Sequence, residues 1–321
     1  MNTKAITTDW NTLHKLYKGI MQEIQDRGIK GLTTGGIACV LYDLASSTKD
    51  CDIIIPEDRA SDIADILTKT QINGQHFHLT LKYGAPLHSR WLQGGWSSHT
   101  FIGNIENGID EVPLARLDFF GRAPRVPVTM PDPQNPQYLS RDGVARMKKT
   151  RRERDWAFAN FLGQQMVDRR ESEGVLHITN PQKLMEICKN AEIPPALVYE
   201  RPILQLAIDG NPELERYIKA EKEFFTQLDN SRLLTYETAW IPYGTALHKE
   251  SAKLLAMDLE TQNLAMVEIA QQELQTTPIN TYLWDTLVNE AKEKTSRIFQ
   301  NIDLELLPTP VAFSKEKNQS I

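Results

Sequence analysis

Cysteine is scarce in this chain: Cys39, Cys51 and Cys188 are odd in number and scattered over 321 positions. That pattern excludes a disulfide framework and a zinc cluster, and it fits a reducing compartment. Long apolar runs are missing as well. None approaches the ~18 residues that a membrane-crossing helix needs, so no membrane partner is expected. The start, Met1–Trp10, has no basic segment followed by an apolar one, which sets the expectation of a cytoplasmic protein without a secretory signal. Nor is positive charge in excess. With a formal net charge of −6, the chain as a whole is no electrostatic glove for nucleic acid. A nucleophile elbow, a Walker loop and zinc-ligand spacing are all absent. Hydrophobic and charged fractions of 40% and 24% instead describe an ordinary globular chain, long enough for one large domain or two smaller ones.

Apolar spacing predicts a helix over residues 9–27, through Leu13, Leu16, Ile20 and Ile24, with Asp9 as cap and Gly28 and Gly31 as stops. A short apolar helix is expected from Ile37 to Leu44, opened by Thr33-Thr34-Gly35-Gly36. Cys51–Ile55, halted by Pro56, reads as a buried strand, and Asp62–Leu67 as part of an amphipathic helix. Residues 76–82 alternate with the period of a half-buried strand, and two further strands are predicted at 98–105 and 114–120. Prolines at 124, 127, 131, 133 and 136 make the next segment a linker. From Ser140 to about residue 305 the chain reads as helical, and the polar tail Ser314–Ile321 is expected to fray. Strands among helices followed by helices alone imply an α+β architecture. A mixed sheet flanked by helices would occupy 1–139, and a mainly helical domain for acceptor, substrate or partner binding would occupy 140–321.

The chemistry starts at Asp50-Cys51-Asp52. Two carboxylates two residues apart on a strand share a face, where their oxygens can hold a hard divalent cation such as Mg²⁺ or Mn²⁺. Desolvating charge at the mouth of so apolar a strand requires a cation or a hydrogen-bond network in return. Asp118 stands among bulky apolar residues in a later strand and has the same need. If the two strands are neighbours, Asp118 completes a three-carboxylate cage for two metals about 4 Å apart, able to activate an acceptor hydroxyl and stabilise departing pyrophosphate. Gly35 and Gly36, at a helix start ahead of Asp-x-Asp, let phosphate oxygens approach backbone N–H groups.

Gly-Gly, a short helix, Asp-x-Asp opening an apolar strand and a distal Asp, in that order, resemble the nucleotidyltransferase superfamily related to DNA polymerase beta. The resemblance rests on Gly35, Gly36, Asp50, Asp52 and Asp118 and covers roughly the first half of the chain. Within the superfamily it is similar to stand-alone prokaryotic nucleotidyltransferases, including toxin components of toxin–antitoxin and abortive-infection systems. Many members carry Arg-x-Thr ahead of Asp-x-Asp. Here Ser46 holds the place of the Arg and Thr48 is retained, which leaves Ser47, Thr48 and Lys49 to grip the triphosphate.

The run 141–162 is rich in Arg and Lys. Projected as one helix, Lys148, Arg151 and Asp155 fall in the apolar stripe of Val144, Met147, Phe158 and Leu162 rather than opposite it. An Arg151–Asp155 pair at i, i+4 is therefore expected, with Lys148 placed to meet a triphosphate. The superfamily resemblance implies the same, since relatives carry a basic helix that leans over the nucleotide. Residues 84–99, with Trp91, Trp96 and His99, read as a β-hairpin with packed tryptophans. His76 and His78 read as surface or satisfied histidines, and Trp240, Tyr243 and Trp284 as core or pocket aromatics.

The expectation is thus a two-metal-ion enzyme that moves an NMP from an NTP, ATP among the candidates, to an acceptor hydroxyl. Asp50, Asp52 and Asp118 would bind metal, and Asp118 would also act as base. Gly35, Gly36, Ser47 and Thr48 would hold phosphates, and Lys148 and Arg151 would neutralise the leaving pyrophosphate. The acceptor stays open between tRNA, a protein and a small molecule, and a cognate antitoxin is a candidate partner. The alternatives are a catalytically silent nucleotide sensor or scaffold of the same fold, and a metal-dependent phosphohydrolase.

Overall fold

The computed structural model describes residues 9–310 apart from 73, 104, 107–108 and 111–113, and the side chains of 105–106 and 109–110 are not described. The start Met1–Thr8 and the polar tail Ser314–Ile321 lie outside the described residues. In chain order the first elements are α1 (Trp10–Asp26), β1 (Leu32–Thr34), α2 (Gly35–Leu41), β2 (Asp50–Ile54) and α3 (Ala60–Lys69). Then come β3 (Gln71–Ile72), β4 (Gln75–His76), β5 (His78–Leu79), α4 (Ser89–Gln93), β6 (Ser97–Ile102), β7 (Ile105–Glu106), β8 (Ile109–Asp110) and β9 (Ala115–Phe120). The rest is helical: α5 (Arg141–Met147), α6 (Glu153–Asp168), α7 (Pro181–Asn190), α8 (Pro195–Glu200), α9 (Leu204–Ile208), α10 (Leu214–Lys249), α11 (Ser251–Leu255), α12 (Leu259–Glu273) and α13 (Thr281–Ile298). The class is α+β. Among the described residues, no helix is long and apolar enough to cross a membrane.

Two compact units are present. The first takes in the described residues up to Ala123, then Pro131–Leu139 and Tyr236–Pro278. It contains a five-stranded mixed sheet of order β1-β2-β9-β6-β5. Only β2 and β9 run parallel; β1 pairs with β2, β6 with β9, and β5 with β6 in antiparallel fashion. Period-two alternation separates two faces. Cys51, Ile53, Leu117, Phe119, Ser98 and Thr100 point to one side and are all at most 1% exposed. That side, covered by apolar residues of α1 and α3 such as Ile24 and Ile63, is the core.

The remaining edge of this sheet is closed by side chains rather than by a strand. Gln262 on α12 accepts from Leu79 N–H at 2.8 Å and donates to the Leu79 carbonyl at 3.0 Å. Its neighbour Asn263 does the same for Leu87, at 2.8 and 3.0 Å. A primary amide carries the donor and acceptor of a peptide group, so Gln262 stands in for a paired strand at the β5 edge, while Asn263 anchors the segment between β5 and α4.

Several elements differ from the sequence expectation. The strand predicted over 76–82 is split: His76 pairs in a separate two-stranded ribbon with Gln71, while His78 joins the main sheet. The expected hairpin at 84–99 holds α4 instead, because Trp91 and Trp96 turn inward and donate their indole N–H groups to the carbonyls of Leu274 and Gln275. Both tryptophans are core, as that reading had them.

The second unit comprises Pro124–Met130, Ser140–Thr235 and the described residues from Ile279 on. Here the single helix expected over 141–162 is interrupted between α5 and α6. Thr150 and Asp155 compete with helical bonding: Thr150 Oγ1 donates to Asp155 at 2.7 Å, accepts from Arg152 N–H at 3.1 Å, and the Thr150 carbonyl accepts from the Trp156 indole at 2.8 Å. Deeper in this unit, Arg201 and Glu221 form a buried pair at 2.6 Å, and Arg201 also donates to the carbonyls of Val175 and Ile178.

With the two charges 3% and 1% exposed, removing one partner strands the other without water. Glu221→Ala should cost about 3–5 kcal/mol in urea denaturation, whereas replacing both residues with apolar ones of similar size should cost markedly less. Equal losses in the single and double variants would contradict the account.

Candidate active site

The solvent-facing side of the first unit's sheet collects the polar residues that the core face excludes. Asp50 and Asp52 alternate with buried Cys51 on β2, and the parallel register sets Asp50 beside Arg116 and Asp52 beside Asp118 on β9. Neighbouring strands lie roughly 4.8 Å apart, so three carboxylates line one face of two adjacent strands. Their field reaches the next residue inward. The Cys51 thiol is pushed up by burial first, and then by Asp52, Asp50 and Asp118.

The Gly-Gly turn abuts this cluster. Gly35 has φ +59°, and a Cβ on it would lie 1.5 Å from Asp52 Oδ2. A Cβ on Gly36 would lie 2.2 Å from Thr48 Oγ1 and 3.3 Å from Asp50 Oδ1. Only a hydrogen fits at either place, which leaves the backbone of β1–α2 in contact with the carboxylates. Thr48 in turn donates its hydroxyl to Asp50 Oδ1 at 2.7 Å and fixes that side chain. Ser47 is exposed in the segment leading to it.

One residue on this face was named in the sequence only as part of the 84–99 segment, with no role beside the carboxylates. His99 on β6 stands in register with Asp118, and its Nδ1 donates to Asp118 Oδ1 at 2.7 Å. Its Nε2 is 2.8 Å from Ser97 Oγ, two residues back on the same strand face. Burial acts to lower the His99 pKa, but Asp118, by charge and hydrogen bond, and then Asp52 raise it above the usual histidine value. A polar Ser-x-His on a strand was the available signal. Its partner could be known only from the strand pairing.

The donor chemistry fits a hard divalent cation: carboxylate oxygens on one face, with a glycine cradle and a threonine hydroxyl beside them. Among the described residues, no three acidic, histidine or cysteine side chains already converge as a closed cage. Asp50 and Asp52 are the pair the glycine turn supports, and Asp118 on the next strand is engaged by His99.

Lys148 and Arg151 belong to the second unit. Lys148 ends α5, its Nζ 3.8 Å from Asp155 and 5.6 Å from the Phe158 ring centre. The expected Arg151–Asp155 pair is not formed. Arg152 donates to Asp155 at 2.7 Å instead, and Arg151 reaches Asn230 at 3.4 Å, because the break between α5 and α6 resets the helical phase. Tyr243 and Trp284 are core residues of their units, and Trp240 donates to the Gly84 carbonyl at 2.8 Å.

A raised folded-state pKa means that the His99–Asp118 contact stabilises the protein fully below the unfolded histidine value of about 6.5 and loses that contribution as pH rises through the folded value. NMR titration should place His99 above 6.5, and Asp118→Asn should bring it down; an unchanged His99 titration in that variant would refute the pairing. Gly35→Ala should cost at least ~1–2 kcal/mol, through the positive φ and the collision with Asp52. Comparison of the chain with protein-family models, with curated proteins and with solved structures finds no match.

Proposed function

We propose that this chain is a metal-dependent nucleotidyltransferase that transfers an NMP from an NTP to an acceptor hydroxyl and releases pyrophosphate. One observation carries the reading: Asp50, Asp52 and Asp118 share a sheet face, with the backbone of Gly35 and Gly36 pressed against the first two. An isolated Asp-x-Asp, or a glycine pair alone, has ordinary structural explanations. Glycines whose backbone packs against both carboxylates join the two features at one place.

Asp50 and Asp52, with Asp118, would hold Mg²⁺ or Mn²⁺, which supplies charge neutralisation at the phosphates and acidifies the acceptor hydroxyl. The chain's own groups do the rest. N–H groups of the Gly35-Gly36 turn and the Thr48 hydroxyl orient phosphate oxygens. Asp118 takes the hydroxyl proton at a carboxylate oxygen, while the acceptor oxygen bonds to the α-phosphorus and the α–β bridging bond breaks. His99 holds Asp118 through Oδ1 and fixes the direction of the other oxygen. Positioning and electrostatics account for most of the rate in such chemistry.

A second reading uses the same face. The order Ser97 Oγ, His99 Nε2, His99 Nδ1, Asp118 is that of a Ser-His-Asp relay. Against it, Ser97 lies within a regular strand rather than on an exposed turn. A serine-directed fluorophosphonate separates the two, since labelling at Ser97 belongs to the relay alone.

The deciding assay incubates the protein with each α-labelled NTP, Mg²⁺ and cell extract. A labelled adduct that falls about 10²–10³-fold in Asp50→Asn or Asp52→Asn supports transfer. Free NMP without an adduct indicates a phosphohydrolase. Nucleotide binding without turnover indicates a sensor.

A further inference from the structure

Strand order puts β5 at the opposite edge of the sheet from β1, with β9 and β6 between it and the Asp50–Asp52 strand. A cleft of about 440 Å³ opens at that edge, within the first unit. His76 and His78 of the β4–β5 segment line it, together with Met257 and Asp258 at the start of α12. Two imidazoles, a thioether and a carboxylate are all electron-pair donors. No lysine or arginine stands among the described residues that line the cleft. Such a lining disfavours anions and suits a cation.

The backbone explains why the two rings share the cleft. His76 and His78 flank Phe77, which is fully buried. In an extended chain residues i and i+2 fall on one side, so burial of Phe77 turns both imidazoles the other way. Each histidine is anchored separately, His76 by its pairing with Gln71 and His78 by its pairing with Phe101. The expectation of surface or satisfied histidines does not hold for His78. It is half-buried, and its Nδ1 is enclosed without a hydrogen-bond partner among the described residues. A nitrogen removed from water and left unpaired carries a desolvation cost that a bound ion would remove. An ion also needs less room than a hydrogen-bonded water, since it sits about 2.0–2.1 Å from an imidazole nitrogen rather than about 2.9 Å. Burial first, and then the charge of His76, lower the His78 pKa, so its ring keeps a free lone pair near neutral pH.

We propose that His76 and His78 form a binding site for a late first-row divalent cation of the Zn²⁺ class, with Asp258 supplying compensating charge in the same cleft. Asp258 is held in place as the cap of α12, accepting from Thr261 N–H at 2.8 Å. One turn further on, Gln262 clamps Leu79, the residue after His78. Imidazole nitrogens select Zn²⁺, Ni²⁺ or Cu²⁺, whereas Mg²⁺ prefers carboxylate oxygens such as those of Asp50 and Asp52. The two sites therefore differ in place and in chemistry, and this one does not rest on the transferase reading. No closed cage of three ligating side chains stands ready among the described residues, so water fills the remaining coordination positions.

The test titrates Zn²⁺ into the full chain by calorimetry, after removal of bound metal and with saturating Mg²⁺ present to occupy carboxylate oxygens. A single Zn²⁺ should bind, and Cu²⁺ in its place should give an electron paramagnetic resonance spectrum with hyperfine splitting from two nitrogens. His76→Gln and His78→Gln should each weaken Zn²⁺ binding at least about tenfold. Zn²⁺ should also raise the melting temperature of the wild-type chain and leave that of His76→Gln unmoved. Because His76 is exposed, its variant should melt like the wild type without metal, and it decides the matter if His78→Gln fails to fold. Asp52→Asn should bind Zn²⁺ as the wild type does. Undiminished Zn²⁺ affinity in His76→Gln overturns the proposal. So does a Zn²⁺ site that is lost in Asp52→Asn, since that ion belongs to the carboxylate face.

Discussion

The parallel pairing of β2 with β9 is the constraint on which the rest of the first unit depends. It sets Asp52 beside Asp118 and, by the same register, Cys51 beside Leu117 and Ile53 beside Phe119. Because side chains alternate, a slip of one residue would turn a carboxylate into the core and an isoleucine or phenylalanine outward. Hydrophobic burial on one face therefore fixes the position of charge on the other. No separate device is needed to bring acids from opposite ends of a seventy-residue stretch together (Asp50 to Asp118), and the cost of crowding them is borne by the well-packed face beneath.

Crowded carboxylates repel one another, and the surroundings answer that repulsion locally. Thr48 bonds Asp50, His99 bonds Asp118, and Arg116 stands in register with Asp50. These partners are light and reversible: a hydroxyl and an imidazole rather than a buried ion pair. The contrast with Arg201–Glu221 in the second unit is instructive. There both charges are sealed and fully hydrogen-bonded, which is the arrangement of a structural fixture. On the sheet face Asp50 and Asp118 are instead half-buried, held by a hydroxyl and an imidazole.

Much of this was legible in the sequence because it is local. The spacing of Asp50 and Asp52, the apolar run after them and the Gly35-Gly36 turn are all set within a few residues, and α1, α3 and β9 follow their periodicity closely. What failed to show depends on partners distant in the chain. The alternation at 76–82 could not reveal that His76 and His78 enter different sheets. Helical projection of 141–162 assumed a continuous helix, and Thr150 broke it by bonding to Asp155. The role of His99 appears only once β6 is laid beside β9. The Gln262 and Asn263 amides carry no sequence signal at all, since glutamine and asparagine in a helix are ordinarily solvent-facing.

Those two amides have a consequence for how the protein is made. The sheet edge at Leu79 is completed by Gln262, 183 positions later, and the segment at Leu87 is held by Asn263, 176 positions later. During synthesis the ribosome must therefore emit most of the polypeptide before the first unit can close. Until then the nascent sheet presents unpaired backbone to other chains, which makes this interval the natural moment for a chaperone to bind or for aggregation to begin.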